Sequence, residues 1–218
     1  MRKTNKVILI LMIIMAALSF TNILNLKVDG ETLNLAGLSV ILGIIAFFTT
    51  RKTNESKAEG LDIKSFAGAL RDKRVILFLM MPMLMNILSF LIADLCLPEY
   101  IEHLGSRTSF LDASELPKLI LELLVMALGE EIAWRAFFQK QASKIMPSLP
   151  TLLITSILFA MGHFNFGGAV IVLYDLAFIF INSLFYGLVF KRTDNAWCSA
   201  LAHFLANVLG VFLLNIFM

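Results

Sequence analysis

The chain has 218 residues, of which 59% are hydrophobic and 16% are charged. Its mean hydropathy of +0.84, with apolar runs along nearly the whole length, is typical of a polytopic membrane protein and argues against a soluble one. The formal net charge of +2 is too small to indicate a nucleic-acid partner.

Seven segments are long and apolar enough to cross a bilayer, because roughly 20 residues of helix span its hydrocarbon core. In chain order they cover residues 7–24, 33–50, 75–97, 117–139, 149–166, 168–190 and 196–217. The sequence therefore predicts an all-α fold, a bundle of about seven transmembrane helices. Residues 1–116 contribute three of them and residues 117–218 contribute four, within one integrated membrane domain.

Basic residues are concentrated at alternate ends of the predicted spans. They precede the first span, occur throughout loop 51–74, and follow the fourth and sixth spans, as Arg2, Lys3, Lys6, Lys140, Lys144, Lys191 and Arg192. A cytoplasmic N-terminus places all of these clusters inside, as the positive-inside rule requires. The pattern predicts an external C-terminus, and the short loops fit a bacterial plasma membrane.

The longest polar segment, residues 51–74, has two interpretations. Ile63, Phe66, Ala67 and Leu70 recur at helical spacing, which predicts a short amphipathic helix at the membrane interface. A mobile linker is the alternative.

Individual residues predict where helices begin or bend. Pro117 suits the first turn of the fourth span, and Asp194-Asn195 is placed to cap the seventh. Pro82 lies inside the third span, where it predicts a kink.

The fourth span contains three ionisable residues, Glu130, Glu131 and Arg135. Such groups are costly at membrane depth, so they indicate a functional site. Glu131 and Arg135 are four residues apart and share a helix face, which predicts an ion pair that holds local structure. Glu130 points about 100° away and is less neutralised, which suits a general base and acid. A packing Glu–Arg bridge would explain Glu131 but not Glu130.

Two of the three histidines also fall in predicted spans. Glu130, His203 and His163 lie very roughly 14, 11 and 21 Å from the cytoplasmic end, so all three are intramembrane. Asn207 follows His203 by one helical turn. A carboxylate and an imidazole can deprotonate a water, while an imidazole N–H and a nearby amide can stabilise an oxyanion. The third histidine, His103, is expected to be solvated in an outer loop.

Three spaced motifs resemble a known family. They are Glu130-Glu131-x-x-x-Arg135, Phe159-x-x-x-His163 and His203-x-x-x-Asn207, with Tyr186-Gly187 and Trp197 as context for the third. Their order and spacing, over about residues 115 to 212, resemble the CPBP family, which comprises the type II CAAX prenyl endopeptidases and their bacterial relatives, also called Abi proteins. The resemblance implies that residues 117–218 form a catalytic core.

The resemblance further implies a glutamate-dependent intramembrane endopeptidase. On this chain, Glu130 and His163 would activate the water, His203 and Asn207 would form the oxyanion hole, and Glu131 and Arg135 would support the site. The substrate would be a membrane-associated peptide or protein, reached by water from the cytoplasm. The position after the motif arginine is usually Gly in the family and is Ala136 here.

Other functions stay open at this point. A related immunity or regulatory protein would act by binding and keep the motifs for structure, which Ala136 slightly favours. A proton-coupled transporter could also use buried Glu, His and Asp. No cofactor is expected, although Glu130, His163 and His203 could ligate zinc. The absence of an H-E-x-x-H helix, with Asn207 suited to an oxyanion donor, favours a site without metal.

The remaining polar residues in the spans have smaller expected roles. Asn86 and Asn182 are expected to form hydrogen bonds between helices. Asp175, in the sixth span, is a candidate for lining a water-filled cavity.

Overall fold

The computed structural model describes residues 6–28, 31–32, 35–52, 60–108 and 115–218. The α-helices are α1 (Lys6–Ser19), α2 (Gly37–Lys52), α3 (Ile63–Ala69), α4 (Lys73–Cys96), α5 (Glu99–Arg107), α6 (Leu116–Glu131), α7 (Lys140–Ala142), α8 (Ser148–Gly162), α9 (Ala169–Thr193) and α10 (Ala196–Phe217). A 3₁₀ helix covers Thr21–Leu24, and a π-helix covers Ile132–Gln139. Two-residue strands β1 (Lys27–Val28) and β2 (Glu31–Thr32) pair antiparallel, so the fold is all-α apart from one small hairpin.

Every predicted span coincides with a helix. Within the described ranges, α4, α9 and α10 are long and apolar enough to cross a membrane, while α1, α2 and α8 are apolar but shorter. The fourth span corresponds to α6, which continues through the π-helix into α7. The all-α membrane fold is thus confirmed, while the count of seven crossings, the cytoplasmic N-terminus and the division at residue 116 stay predictions.

Within the predicted polar segment 51–74, residues 53–59 lie outside the described residues, and Ile63–Ala69 forms a helix rather than a linker. Asp62 caps the start of α3 by accepting a hydrogen bond from the Lys64 amide. The Asn195 side chain donates to the Asp62 carbonyl at 2.6 Å and also caps α10 by accepting from the Trp197 amide at 3.0 Å. One buried asparagine therefore fixes both helix starts, as the predicted cap at 194–195 requires. Pro117 occupies the first turn of α6, also as predicted.

The bundle is organised around α10 and the helix formed by α6 and the π-helix. Helices α4 and α9 pack against α10 and against each other, α10 also lies along α6, and α2 packs on the π-helix. All eight residues of the π-helix are buried. π-Helical segments are rare, and those that occur are often found at functional sites. No pattern in the sequence predicted this one.

Close packing of α2 on the π-helix depends on Gly43. A Cβ placed at Gly43 would lie 2.6 Å from the Ala133 Cβ and 2.9 Å from the Ala133 Cα. Both distances are below normal van der Waals contact, and one of the atoms is backbone.

We predict that Gly43→Ala lowers the free energy of unfolding by about 1–3 kcal/mol, because the extra methyl must separate two packed helices. Unfolding of the purified protein in detergent measures this loss. The control is Gly37→Ala in the same helix, where a Cβ meets no atom within 4 Å. Equal stability of the two variants would show that the helices do not meet as described.

Candidate active site

The four residues with predicted chemical roles line one cavity of about 560 Å³ inside the bundle. Glu130 lies on α6, and His203 and Asn207 lie on α10. His163 is the residue directly after α8, at its C-cap. They are distant in the chain, and the fold brings all four together.

The Glu130 carboxylate faces both histidines. Its Oε2 lies 3.7 Å from His203 Nε2 and 3.9 Å from His163 Nε2, which is longer than a hydrogen bond. This oxygen is buried and has no hydrogen-bond partner among the described residues. A buried, unpaired carboxylate oxygen beside two imidazoles requires water or a ligand.

Glu131 joins the first and third motifs. Its Oε2 accepts a hydrogen bond from Arg135 Nε at 3.1 Å, which confirms the predicted ion pair. Its Oε1 lies 3.2 Å from His203 Nδ1, a contact that sequence reasoning missed. Since a carboxylate only accepts, Nδ1 carries the proton, and Nε2 faces Glu130 and the cavity. Glu131 therefore fixes the orientation of His203.

His163 is oriented in a similar way by the backbone. Its Nδ1 lies 2.9 Å from the Phe159 carbonyl oxygen, so this nitrogen is the donor. The unprotonated Nε2 of the neutral ring then faces Glu130. This tautomer can accept a proton on the side of the cavity.

The rings of Tyr186 and Phe159 line the cavity, and Arg135 supports them from outside the lining. Tyr186 stacks on His203 with ring centroids 4.5 Å apart and planes at 16°, a role that its place near the third motif did not reveal. The Arg135 guanidinium lies 5.1 Å above the Phe159 ring and donates to Ser183 Oγ at 2.9 Å. Arg135 and Glu131 are both fully buried, so neither side chain is in contact with bulk solvent.

His103 is not solvated, contrary to the expectation from its predicted loop. It lies on α5 with its side chain 7% exposed, and its Nε2 is 3.7 Å from Asp175 Oδ2. The helix α5 folds back against α9 and α10, which covers the ring. Asp175 does line the cavity, as its intramembrane position suggested.

Asp175 forms a second polar cluster, with α5. Its Oδ2 accepts a hydrogen bond from Arg107 Nη1 at 2.8 Å, and its Oδ1 accepts from the Tyr100 hydroxyl at 3.5 Å. Burial and the Asp175 charge raise the pKa of Tyr100 to about 12, so the phenol stays protonated and remains a donor.

The expected hydrogen bonds between helices are present. Asn182 Nδ2 donates to Asn86 Oδ1 at 2.8 Å, and Asn86 Nδ2 donates to the Ala206 carbonyl at 2.8 Å. These bonds connect α9, α4 and α10 along the cavity wall.

The cavity extends toward the end of the bundle that carries few basic residues. Its lining reaches Asn22, Gly37, Arg107 and Asn165, which lie in or beside the connections at that end. At the other end, packed side chains of the π-helix, α8 and α9 fill the bundle beyond Trp134. The sequence predicted that the basic loops lie in the cytoplasm and that the cavity opens to the cytoplasm. The cavity extends away from the basic loops, so these two predictions cannot both be correct.

The zinc alternative depends on how the donor atoms of Glu130, His163 and His203 are arranged. Among the described residues, no group of three or more His, Cys, Asp or Glu side chains is arranged to hold a metal ion. The expectation of a site without metal stays a prediction.

The methyl group of Ala136 is accommodated because its neighbour is a glycine. Ala136 is 2% exposed, and a Cβ at Gly60 would lie 3.3 Å from its methyl. Gly60 has φ of +85°, a conformation that favours glycine. Ala136 stands where the family usually has Gly, and its methyl group packs against Gly60, which has no side chain.

We predict that Arg135→Met destabilises the protein by about 3–5 kcal/mol, because it leaves the Glu131 carboxylate buried without its cation. Unfolding in detergent measures the effect. Arg192→Met is the matched control, since Arg192 pairs with Asp72 at 2.6 Å where both side chains are partly exposed. Equal losses would mean that the buried pair carries no special weight.

Comparison with known proteins agrees with the motifs. The model of the family described as type II CAAX prenyl endopeptidase Rce1-like matches residues 112–209, a little under half of the chain. No curated protein and no solved structure matches the chain significantly. Residues 112–209 are thus similar to the Rce1-like type II CAAX prenyl endopeptidases, in agreement with the resemblance carried by the three motifs.

Proposed function

We propose that this protein is an intramembrane endopeptidase that hydrolyses peptide bonds of membrane-associated peptides or proteins without a metal. The family match supports a protease. The observation that carries the mechanism is the unpaired Glu130 Oε2, buried in a cavity beside the Nε2 atoms of His163 and His203.

Glu130 and His163 activate the water. A water molecule beside Glu130 Oε2 and His163 Nε2 can donate one hydrogen bond to each. As the water oxygen attacks the scissile carbonyl carbon, its proton passes to this pair. The same proton then goes to the leaving amide nitrogen, the C–N bond breaks, and the products are a carboxylic acid and an amine.

His203 and Asn207 stabilise the oxyanion. Because the Nδ1 proton of His203 is directed at Glu131, its Nε2 donates to the oxyanion only when the ring is an imidazolium. The buried Glu131 carboxylate stabilises that charge. The Asn207 amide adds a neutral donor from one helical turn away.

We predict that Glu130→Gln and His163→Ala each lower the rate of cleavage by about 10²–10⁴-fold, because each removes a proton acceptor. The measurement is mass spectrometry of fragments released from a library of apolar peptides in proteoliposomes. Glu115→Gln, an exposed change at the start of α6, is the control. Unchanged cleavage in the Glu130 or His163 variant rejects the mechanism.

Glu130→Gln and Glu131→Gln together distinguish a protease from a protein that acts only by binding. If Glu130→Gln keeps the full biological effect and Glu131→Gln loses it, the motifs serve structure and binding is the function.

We also predict that activity survives dialysis against EDTA, because the chemistry needs only the side chains named above. Metal analysis of the same samples by mass spectrometry should find well below one equivalent per chain. Loss of cleavage on chelation, restored by Zn²⁺, would contradict the proposal.

A further inference from the structure

We propose that Arg107 and Asp175 form a subsite that binds a carboxylate of the peptide substrate. The inference rests on the proposed function and extends it to substrate recognition. Arg107 lies before the matched residues 112–209, so the family comparison assigns it no role.

Arg107 lies at the wall of the cavity that holds the candidate catalytic residues. Arg107 is the last residue of α5, its side chain is 22% exposed, and it lines the same cavity as Glu130 and His163. A cation at the wall of a cavity within an apolar bundle will attract an anionic group of whatever enters.

The Arg107 guanidinium has more donors than the described residues use. The bond from Nη1 to Asp175 is the guanidinium's one hydrogen bond within the described part of the chain. A guanidinium has five N–H donors in a planar fork that matches a carboxylate. Four donors thus remain for a second anion.

The buried Asp175 carboxylate has polar neighbours besides Arg107. Asp175 is 2% exposed, and Tyr100 donates to it from α5. The Nε2 of His103, 3.7 Å away, is buried without a hydrogen-bond partner among the described residues. The Tyr100 hydroxyl remains a donor to Asp175 when a ligand carboxylate shares Arg107.

The distance to the reacting groups limits where the carboxylate lies in the substrate. Asp175 and Tyr186 are eleven residues apart on α9, which is roughly 16 Å along the axis, and Tyr186 stacks on His203. An extended peptide spans that length in about five residues. The carboxylate is either the C-terminus of the substrate or an acidic side chain within about five residues of the scissile bond.

The test measures binding rather than cleavage. Full-length Glu130→Gln protein in detergent is titrated with an acetylated, six-residue Leu/Ala peptide that has a free C-terminal carboxylate, and with the same peptide as a carboxamide. A third peptide is a carboxamide with one internal Glu. We expect the free carboxylate or the internal Glu to bind at least tenfold tighter than the plain carboxamide, and the tighter of the two identifies the source.

Second substitutions assign that preference to the subsite. Arg107→Gln should remove it, and Arg107→Lys, which keeps the charge, should retain part of it. Asp175→Asn should retain or increase it, whereas a purely structural ion pair predicts that Asp175→Asn and Arg107→Gln behave alike. Equal binding of all three peptides, no binding of any, or a preference that survives Arg107→Gln overturns the subsite. None of these results bears on the effect of Glu130→Gln on cleavage, so the two proposals fail separately.

Discussion

The fully buried carboxylate of Glu131 determines how the rest of the site is arranged. Arg135 neutralises it along the same helix, and His203 reaches it from α10. Burying these charges is costly, and the cost is offset only if the helices hold the partners in one geometry. That requirement fixes the imidazole of His203, which in turn places its second nitrogen beside Glu130.

The two adjacent glutamates therefore have different surroundings for a simple geometric reason. Glu131 points into the packed interior, while Glu130 points into the cavity, where one of its oxygens lacks a protein partner. The interior on the side of Glu131 is filled by the π-helix and its aromatic neighbours, and the cavity extends the opposite way. Two adjacent residues of one helix thus take different tasks, Glu130 the chemistry and Glu131 the structural support.

Many features of the fold and of the candidate site could be predicted from the spacing of residues along single helices. The i, i+4 relation of Glu131 and Arg135 predicted their ion pair, and the apolar runs predicted the helices. Contacts between distant segments could not be read in the same way. The bond from His203 to Glu131 depends on how α10 lies along α6, and the burial of His103 depends on α5 folding back against α9. The π-helix and the direction of the cavity also arise from packing between helices, which no local pattern specifies.

The central claim is that Glu130, His163, His203 and Asn207 surround a cavity that water can enter, and cysteine accessibility tests it most directly. Asn207→Cys is made in a chain whose native Cys96 and Cys198 are replaced, and sealed membrane vesicles of both orientations are treated with a charged, membrane-impermeant thiol reagent. The account predicts rapid modification from the side opposite the basic loops, with Ser199→Cys, fully buried on the same helix, protected. An Asn207→Cys variant as unreactive as Ser199→Cys from both sides would contradict it.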